Sequence, residues 1–370
     1  MESIWKKTAE LPEFHTLTKD IRTKVLIIGG GMAGILCAYF LQRSGVDYCL
    51  LEADTICSGV TGNTTAKITS QHGLIYDSLI SRAGREIADG YLRANELALK
   101  RYKDLGWRID CDMKEVDSYV FDRMDAEKLK REAAAVMQLG FPAEYVGQVD
   151  LPFETAGAVR FPNQAQFHPL KFVAAIAKNL NIYEHSPVRE MTEYFALTDH
   201  GSVAAEKVIV ATHFPFINRR GSYFVKLYQE RSYVLSLKNT EIPDGIYLEA
   251  KKGGLSLRGY EDTLLLGGIT HRTGKEPDGF EKLREQAKLY FPEAEITGQW
   301  AAQDCMTLDG LPYIGNYSSS TPDLFVAGGF GKWGMTGAMI SAIVLSDLVQ
   351  GRENEFAAIF NPVSYTHLRA

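Results

Sequence analysis

Lys24-Val25-Leu26-Ile27-Ile28-Gly29-Gly30-Gly31-Met32-Ala33-Gly34-Ile35-Leu36 decides the fold. The apolar run Val25 to Ile28 reads as a buried strand, and the glycines after it stop the strand in a sharp turn. From Met32 to Ser44 apolar side chains recur with helical spacing at Ile35, Leu36, Tyr39, Phe40 and Leu41. Gly45 ends that run, and Tyr48-Cys49-Leu50-Leu51 resumes strand character. The segment is a β-α-β unit carrying Gly29-x-Gly31-x-x-Gly34 at its first turn. Such glycines let the backbone bend sharply, approach a pyrophosphate closely and pack helix against strand, while the helix start presents free amides to the phosphates. Glu52 follows the second strand, where a carboxylate accepts both ribose hydroxyls of an adenosine and repels a 2′-phosphate. Gly29, Gly31, Met32, Ala33, Gly34, Glu52 and Ala53 are therefore candidate dinucleotide contacts.

Outward from this unit the chain turns small and polar over Ser58 to Lys67, supplying amides and hydroxyls with little bulk. Tyr91 to Leu139 reads as charged amphipathic helices around a short strand near Ser118 to Phe121, an insertion that leaves the nucleotide-binding unit. The return is marked by His168-Pro169-Leu170 opening a helix through Leu180, a strand over Ile182 to Val188, and another over Lys207 to Thr212. Between Phe224 and Trp300, alternating aromatic-rich strands at Ser232 to Leu237, Gly245 to Leu248, Leu255 to Arg258 and Leu264 to Gly268 predict an antiparallel sheet over a site. Leu324 to Gly331, followed by a helix from about Met335 to Gln350, repeats the strand-glycine-helix pattern and predicts a second helix start facing a ligand.

Composition removes several classes. The 40 basic and 46 acidic residues give a net charge of -6 with no basic tract able to follow a phosphate backbone, which argues against a nucleic-acid partner. No apolar run reaches the ~20 residues a bilayer span needs, and Met1 to Asp20 is charged rather than signal-like, so a cytoplasmic location is expected. Cys37, Cys49, Cys57, Cys111 and Cys305 lack C-x-x-C or Cys/His metal spacing and read as reduced thiols, with no metal site expected.

With both ends read, the chain resembles the D-amino-acid-oxidase-like flavoprotein superfamily, which includes glycine oxidase, sarcosine oxidase and gamma-glutamylputrescine oxidoreductase. The resemblance rests on Val25 to Gly34 with Glu52, on Thr61-Gly62-Asn63-Thr64-Thr65-Ala66-Lys67, on Asp309-Gly310-Leu311-Pro312-Tyr313-Ile314-Gly315, and on Gly329-Phe330-Gly331-Lys332-Trp333-Gly334-Met335-Thr336. The string Gln303 to Gly310 looks like a bacterial subgroup whose longer members append a Rieske iron-sulfur domain; no C-x-H and C-x-x-H pair for such a cluster occurs here. The resemblance fades after Asn361-Pro362, so a truncation is expected there, with Val363 to Ala370 outside the family pattern.

The resemblance implies an α/β fold: a FAD-binding Rossmann-like domain of the glutathione-reductase type, interleaved with an α+β substrate domain on an antiparallel sheet. The expected division is 20–80, 150–220 and 300–360 for FAD, 81–149 and 221–299 for a substrate or cap domain, and 361–370 for a tail. It adds Thr61, Thr64, Thr65, Ala66 and Lys67 beneath the ribityl chain and flavin, Val188 at the adenine, and Gly331, Lys332, Trp333, Gly334, Met335 and Thr336 at the pyrimidine end. The implied chemistry is hydride transfer from the carbon of a C-N bond to flavin N5, on a small amine or amino acid. Electrons would pass on to oxygen or a ferredoxin- or Rieske-type centre. Tyr247, Asp304 and Lys332 are the catalytic candidates, while His72 and His271 read as structural. Glycine-oxidase-like members carry arginine five residues before the aspartate of the Asp-Gly-x-Pro string; Asp304 stands there, which favours a substrate ammonium over a carboxylate. Non-covalent FAD is expected, because the spacing of Cys305 to Asp309 differs from the flavin-linked cysteine pattern. A nicotinamide-dependent dehydrogenase would not need the C-terminal glycine-helix unit. An FAD-binding electron-transfer module dependent on a further domain or partner is the other alternative.

Overall fold

A computed structural model describes residues 2–217, 220–275 and 278–363; the tail from 364 onward lies outside the described residues. The glycine turn seeds the first of two sheets, in the order Tyr313–Asn316, Leu324–Gly328, Ser202–His213, Ile21–Ile28, Tyr48–Leu51, Ile182–Tyr183. All neighbours in this row are parallel except Tyr313–Asn316, which returns antiparallel beside Leu324–Gly328. A parallel sheet must be covered on both faces, which is why Val25 to Ile28 and Val208 to Val210 are continuous apolar runs, buried throughout. The helix Met32–Arg43 packs against the helix Gly334–Leu348, so both glycine-helix units recognised in the sequence share one side of the sheet.

The second sheet runs Glu295–Thr307, Leu227–Lys238, Thr263–Arg272, Ser256–Tyr260, Ile246–Glu249, Lys114–Phe121, Ala158–Gln166, Lys67–Ile68. It is antiparallel as expected apart from one parallel pair, Ile246–Glu249 beside Lys114–Phe121. Two of its strands, and the greater part of a third, come from segments that the sequence reading assigned to nucleotide binding. Lys67–Ile68 pairs with Gln166 and Ala165, Ala158–Gln166 pairs with Lys114–Phe121, and Glu295–Thr307 pairs with Leu227–Lys238. The chain thus crosses between the sheets at these places, and residues from both sheets line the large cavity.

The strand expected over Ile182 to Val188 stops at Tyr183. Glu184 is buried and leaves the ladder to accept amides from Phe14 and Ile56, at 3.0 and 2.6 Å, and His185 follows at φ +49°. The amphipathic insertion forms Arg85–Gly106, the strand Lys114–Phe121 and Ala126–Gln138; from the last helix Glu132 accepts the amides of Tyr76 and Asp77.

At Gly34 the helix passes so close to the first strand that a Cβ would lie 1.9 Å from the Gly29 carbonyl oxygen. Backbone cannot retreat as a side chain can, so Gly34→Ala is expected to lower Tm by roughly 5 °C or more and to reduce flavin content. Unchanged values by thermal denaturation and absorbance would contradict this packing.

Candidate active site

A cavity of about 880 Å³ lies between the sheets. Of the expected cofactor contacts, Gly29, Gly31, Met32, Ala33, Glu52, Ala53, Thr61, Thr64, Thr65, Lys67, Val188, Gly331, Lys332, Trp333, Gly334 and Met335 line it. Gly34, Ala66 and Thr336 stand behind the wall. Gly34 is spent on the turn contact, Ala66 is wholly buried with its carbonyl 2.7 Å from Arg258 Nη1, and Thr336 Oγ1 lies 3.2 Å from His72 Nε2.

The wall has the donors and acceptors a dinucleotide needs. Neither Gly31 nor Trp333, the residues before the two helices, caps its helix with a side chain, and unpaired amides at such starts attract anions. Thr61 Oγ1 accepts one of them, from Met32, at 3.0 Å. Glu52 accepts the Gly30 amide at 2.5 Å through one oxygen and the Asp54 amide at 2.9 Å through the other. Those two bonds fix its direction and leave acceptor positions for ribose hydroxyls. Beside Glu52, a Cβ on Gly30 would meet that carboxylate at 3.0 Å, so the glycine keeps the cradle open. These features fit FAD.

Strand alternation builds the other end. Tyr228, Glu230, Ser232 and Val234 face the cavity from one strand, and Ala302, Asp304 and Met306 from the neighbouring one. Glu230 and Asp304 are direct cross-strand partners, an arrangement that like charges disfavour. Lys332, from the second glycine loop, bridges them: its ammonium lies 2.9 Å from Asp304 Oδ2 and 3.8 Å from Glu230 Oε2. Ser232 Oγ donates to Asp304 at 2.8 Å and accepts from Lys332 at 2.9 Å, while Lys252 reaches Glu230 Oε1 at 2.9 Å from the rim. Asp304 and Lys332, proposed from sequence as separate candidates, form one ion pair.

Tyr247 does not join them. Neighbouring strand residues point to opposite faces, and it is Leu248 that lines the cavity. Tyr247 instead stacks on Tyr119 at 4.9 Å and donates to the Asp244 carbonyl at 3.0 Å. Glu230, Ser232 and Lys252 were missed. The signal for the first two was present in the polar string Gln229-Glu230-Arg231-Ser232 inside an aromatic strand; their face depends on pairing with Glu295–Thr307.

His72 is a strut: Nδ1 lies 2.6 Å from Tyr91 Oη, Nε2 lies 2.8 Å from the Thr69 carbonyl, and the ring stacks on Trp333 at 4.5 Å. Burial lowers it to about 3, so it stays neutral. His271 is similarly held by Tyr233 Oη and the Arg272 carbonyl. His213, at the end of the central parallel strand, lines the cavity with Nε2 buried and lacking a hydrogen-bond partner among the described residues. Burial lowers its pKa, and the Asp304 charge partly restores it. Lys67 is half-buried at the cavity wall. Its ammonium bonds Ser256 Oγ, and burial, reinforced by the Arg258 charge, lowers it to about 7. Cys305 lies outside the cavity lining, its thiol pushed up to about 12 by burial.

Residues 24–348 match the family described as FAD dependent oxidoreductase, DAO. A putative Rieske 2Fe-2S iron-sulfur protein, YhfW, of Bacillus subtilis is 34% identical, the match covering 98% of this chain and 75% of the relative. Glycine oxidase of the same organism is 25% identical over 89% of this chain and 94% of its own. The crystal structure of glycine oxidase from Geobacillus kaustophilus superimposes with a TM-score of 0.78 at 21% identity, covering 92% of this chain and 98% of that one. The glycine cradle, the second helix start and the match over residues 24–348 agree: this chain belongs to the DAO family of FAD-dependent oxidoreductases.

Proposed function

We propose that this chain oxidises the C-N bond of a small amine or amino acid, with the preference on the amine side. Bound FAD would supply the chemistry, taking up a hydride equivalent at N5 and leaving an imine for water to hydrolyse. The carrying observation is the cluster Glu230-Asp304-Lys332 in the cavity wall. Lys332 and Lys252 match the two carboxylates in number, so a substrate ammonium would bind by taking the place of the exposed Lys252 at Glu230, while a free carboxylate would be repelled by both acids. Lys252, its side chain 73% exposed, meets Glu230 at 2.9 Å. Ser232 orients Asp304 by its hydroxyl bond.

The remaining assignments are part of the same reading. Lys332 and Asp304 bind and orient substrate, Glu52 holds the adenosine ribose and Val188 meets the adenine. FAD is held non-covalently, a view supported by Cys305 facing away from the cavity. Among the described residues no helix is long and apolar enough to cross a membrane, and we place the protein in the cytoplasm. Oxygen or a Rieske-type centre would accept the electrons. A second reading, an FAD-binding module passing electrons to an iron-sulfur partner, is favoured by the similarity to the putative Rieske iron-sulfur protein YhfW.

Glu52→Arg replaces the ribose acceptor with a cation and is expected to leave the purified protein with less than about a tenth of the wild-type FAD, read by absorbance. Equal flavin content would refute the role. Asp304→Asn is expected to raise the amine concentration for half-maximal anaerobic flavin reduction about tenfold or more, since a bond to a charged group is lost. An unchanged value would remove Asp304 from substrate binding.

Lys67 sets a pH signature. Its folded-state pKa of about 7 lies below its ordinary 10.5, so the cost of burying the charge is complete below pH 7 and falls as pH rises through that window. Lys67→Met is therefore expected to raise the Tm of the flavin-free protein more at pH 6 than at pH 9. An equal gain at both values, or a loss at pH 6, would contradict this.

A further inference from the structure

The geometry points to a part of the cofactor site that precedes the family match of residues 24–348: the segment Ser3 to Thr8 straps the loop Ser58 to Ala66 into its FAD-holding form. The inference rests on FAD binding, not on the identity of the substrate. Along this loop, six carbonyls are each taken by a donor from outside the cavity. Lys6 Nζ donates to Ser58 O at 2.8 Å, Ser3 Oγ donates to Gly62 O, and Trp5 Nε1 donates to Thr64 O at 2.6 Å. Trp300 Nε1 donates to Asn63 O at 3.0 Å, and Arg258 Nη1 donates to Thr65 O and Ala66 O at 2.8 and 2.7 Å. In a trans peptide the carbonyl and the N-H point in opposite directions. Anchoring the carbonyls of Asn63 and Thr64 outward therefore turns the amides of Thr64 and Thr65 toward the cavity that Thr61, Asn63, Thr64 and Thr65 line. It also keeps carbonyl oxygens away from an anionic dinucleotide.

Trp300 and Arg258 lie within the family match of residues 24–348, whereas Ser3, Trp5 and Lys6 precede it. The Lys6 side chain packs against the loop at Gly62, where an added Cβ would meet Lys6 Cε and Cys57 O, both at 2.6 Å. Trp5 is wholly buried, with His168 and Tyr260 edge-on at 4.9 and 4.8 Å and the Arg258 guanidinium 5.4 Å from its ring, so it also seats the arginine. Further along, the Phe14 amide bonds Glu184, whose other oxygen holds Ile56, and the Leu17 amide bonds Ser186 Oγ at 3.0 Å. Ser186 lines the adenosine end, so the same N-terminal arm supports the cavity wall at both ends.

Trp5→Phe keeps a buried ring but removes the N-H together with part of the indole, whereas Lys6→Met keeps the stem and removes only the donor, so Lys6→Met is the cleaner of the two variants. The test titrates the deflavinated full-length proteins with FAD, following flavin fluorescence, beside the Tm of each deflavinated protein. Both variants are expected to raise the FAD dissociation constant about fivefold or more, with the flavin-free Tm within about 2 °C of wild type. Unchanged FAD affinity in both variants overturns the strap, as does weakening seen only alongside a destabilised flavin-free fold. The readout is FAD binding, so failure of every amine as a substrate would defeat the proposed reaction and leave this result standing.

Discussion

Three backbone segments meet at Gly29 with no side chain between them. A Cβ there would lie 2.5 Å from the Ala211 carbonyl oxygen, and one on Gly34 would lie 1.9 Å from the Gly29 carbonyl oxygen. This contact draws the start of Met32–Arg43 onto the ends of the parallel strands and so places unpaired helix amides at the cavity. Glu52 is fastened to the same turn through the Gly30 amide, and Thr61 through the Met32 amide. The second helix start arrives by packing Gly334–Leu348 against the first helix, and its loop carries Lys332 to the substrate end.

Features set by local chemistry were legible in the sequence. A strand ending in glycines, a helix period and a carboxylate after the next strand are each specified within about ten neighbouring residues, and the structure forms all three. The C-terminal glycine-helix unit was readable for the same reason. Features set by pairing were not. Tyr247 differs from Leu248 only in which face of a strand it occupies, and that face is fixed by neighbours far off in sequence. Glu230 becomes a site residue only when its strand pairs with Glu295–Thr307 and sets it opposite Asp304. The strap was invisible because nothing in Ser3-Ile4-Trp5-Lys6 states that its donors reach carbonyls more than fifty residues away.

Two of the places where the structure breaks local rules lie around the cavity. Opposed carboxylates on adjacent strands, and a half-buried Lys67 beside a wholly buried Arg258 held by carbonyls, are unfavourable arrangements for stability alone. Their shared position at the cavity and its wall accounts for them together: the cations sit against the cofactor loop, and the carboxylates face the space left for substrate. On the proposed function, Asp304 is the residue that separates this site from the arginine-bearing pattern of the resemblance, with Lys332 paired to it and Lys252 to Glu230.

The central claim is that this acidic cluster selects an amine for oxidation by bound FAD. It is tested most directly by anaerobic rapid mixing of the FAD-loaded protein with matched pairs of compounds, each an amine and the amino acid that differs from it only by an α-carboxylate. Bleaching of the flavin band reports reduction. The account predicts faster bleaching by the amine in every pair that reacts. Faster bleaching by the amino acids, or none by either member of any pair, would contradict it.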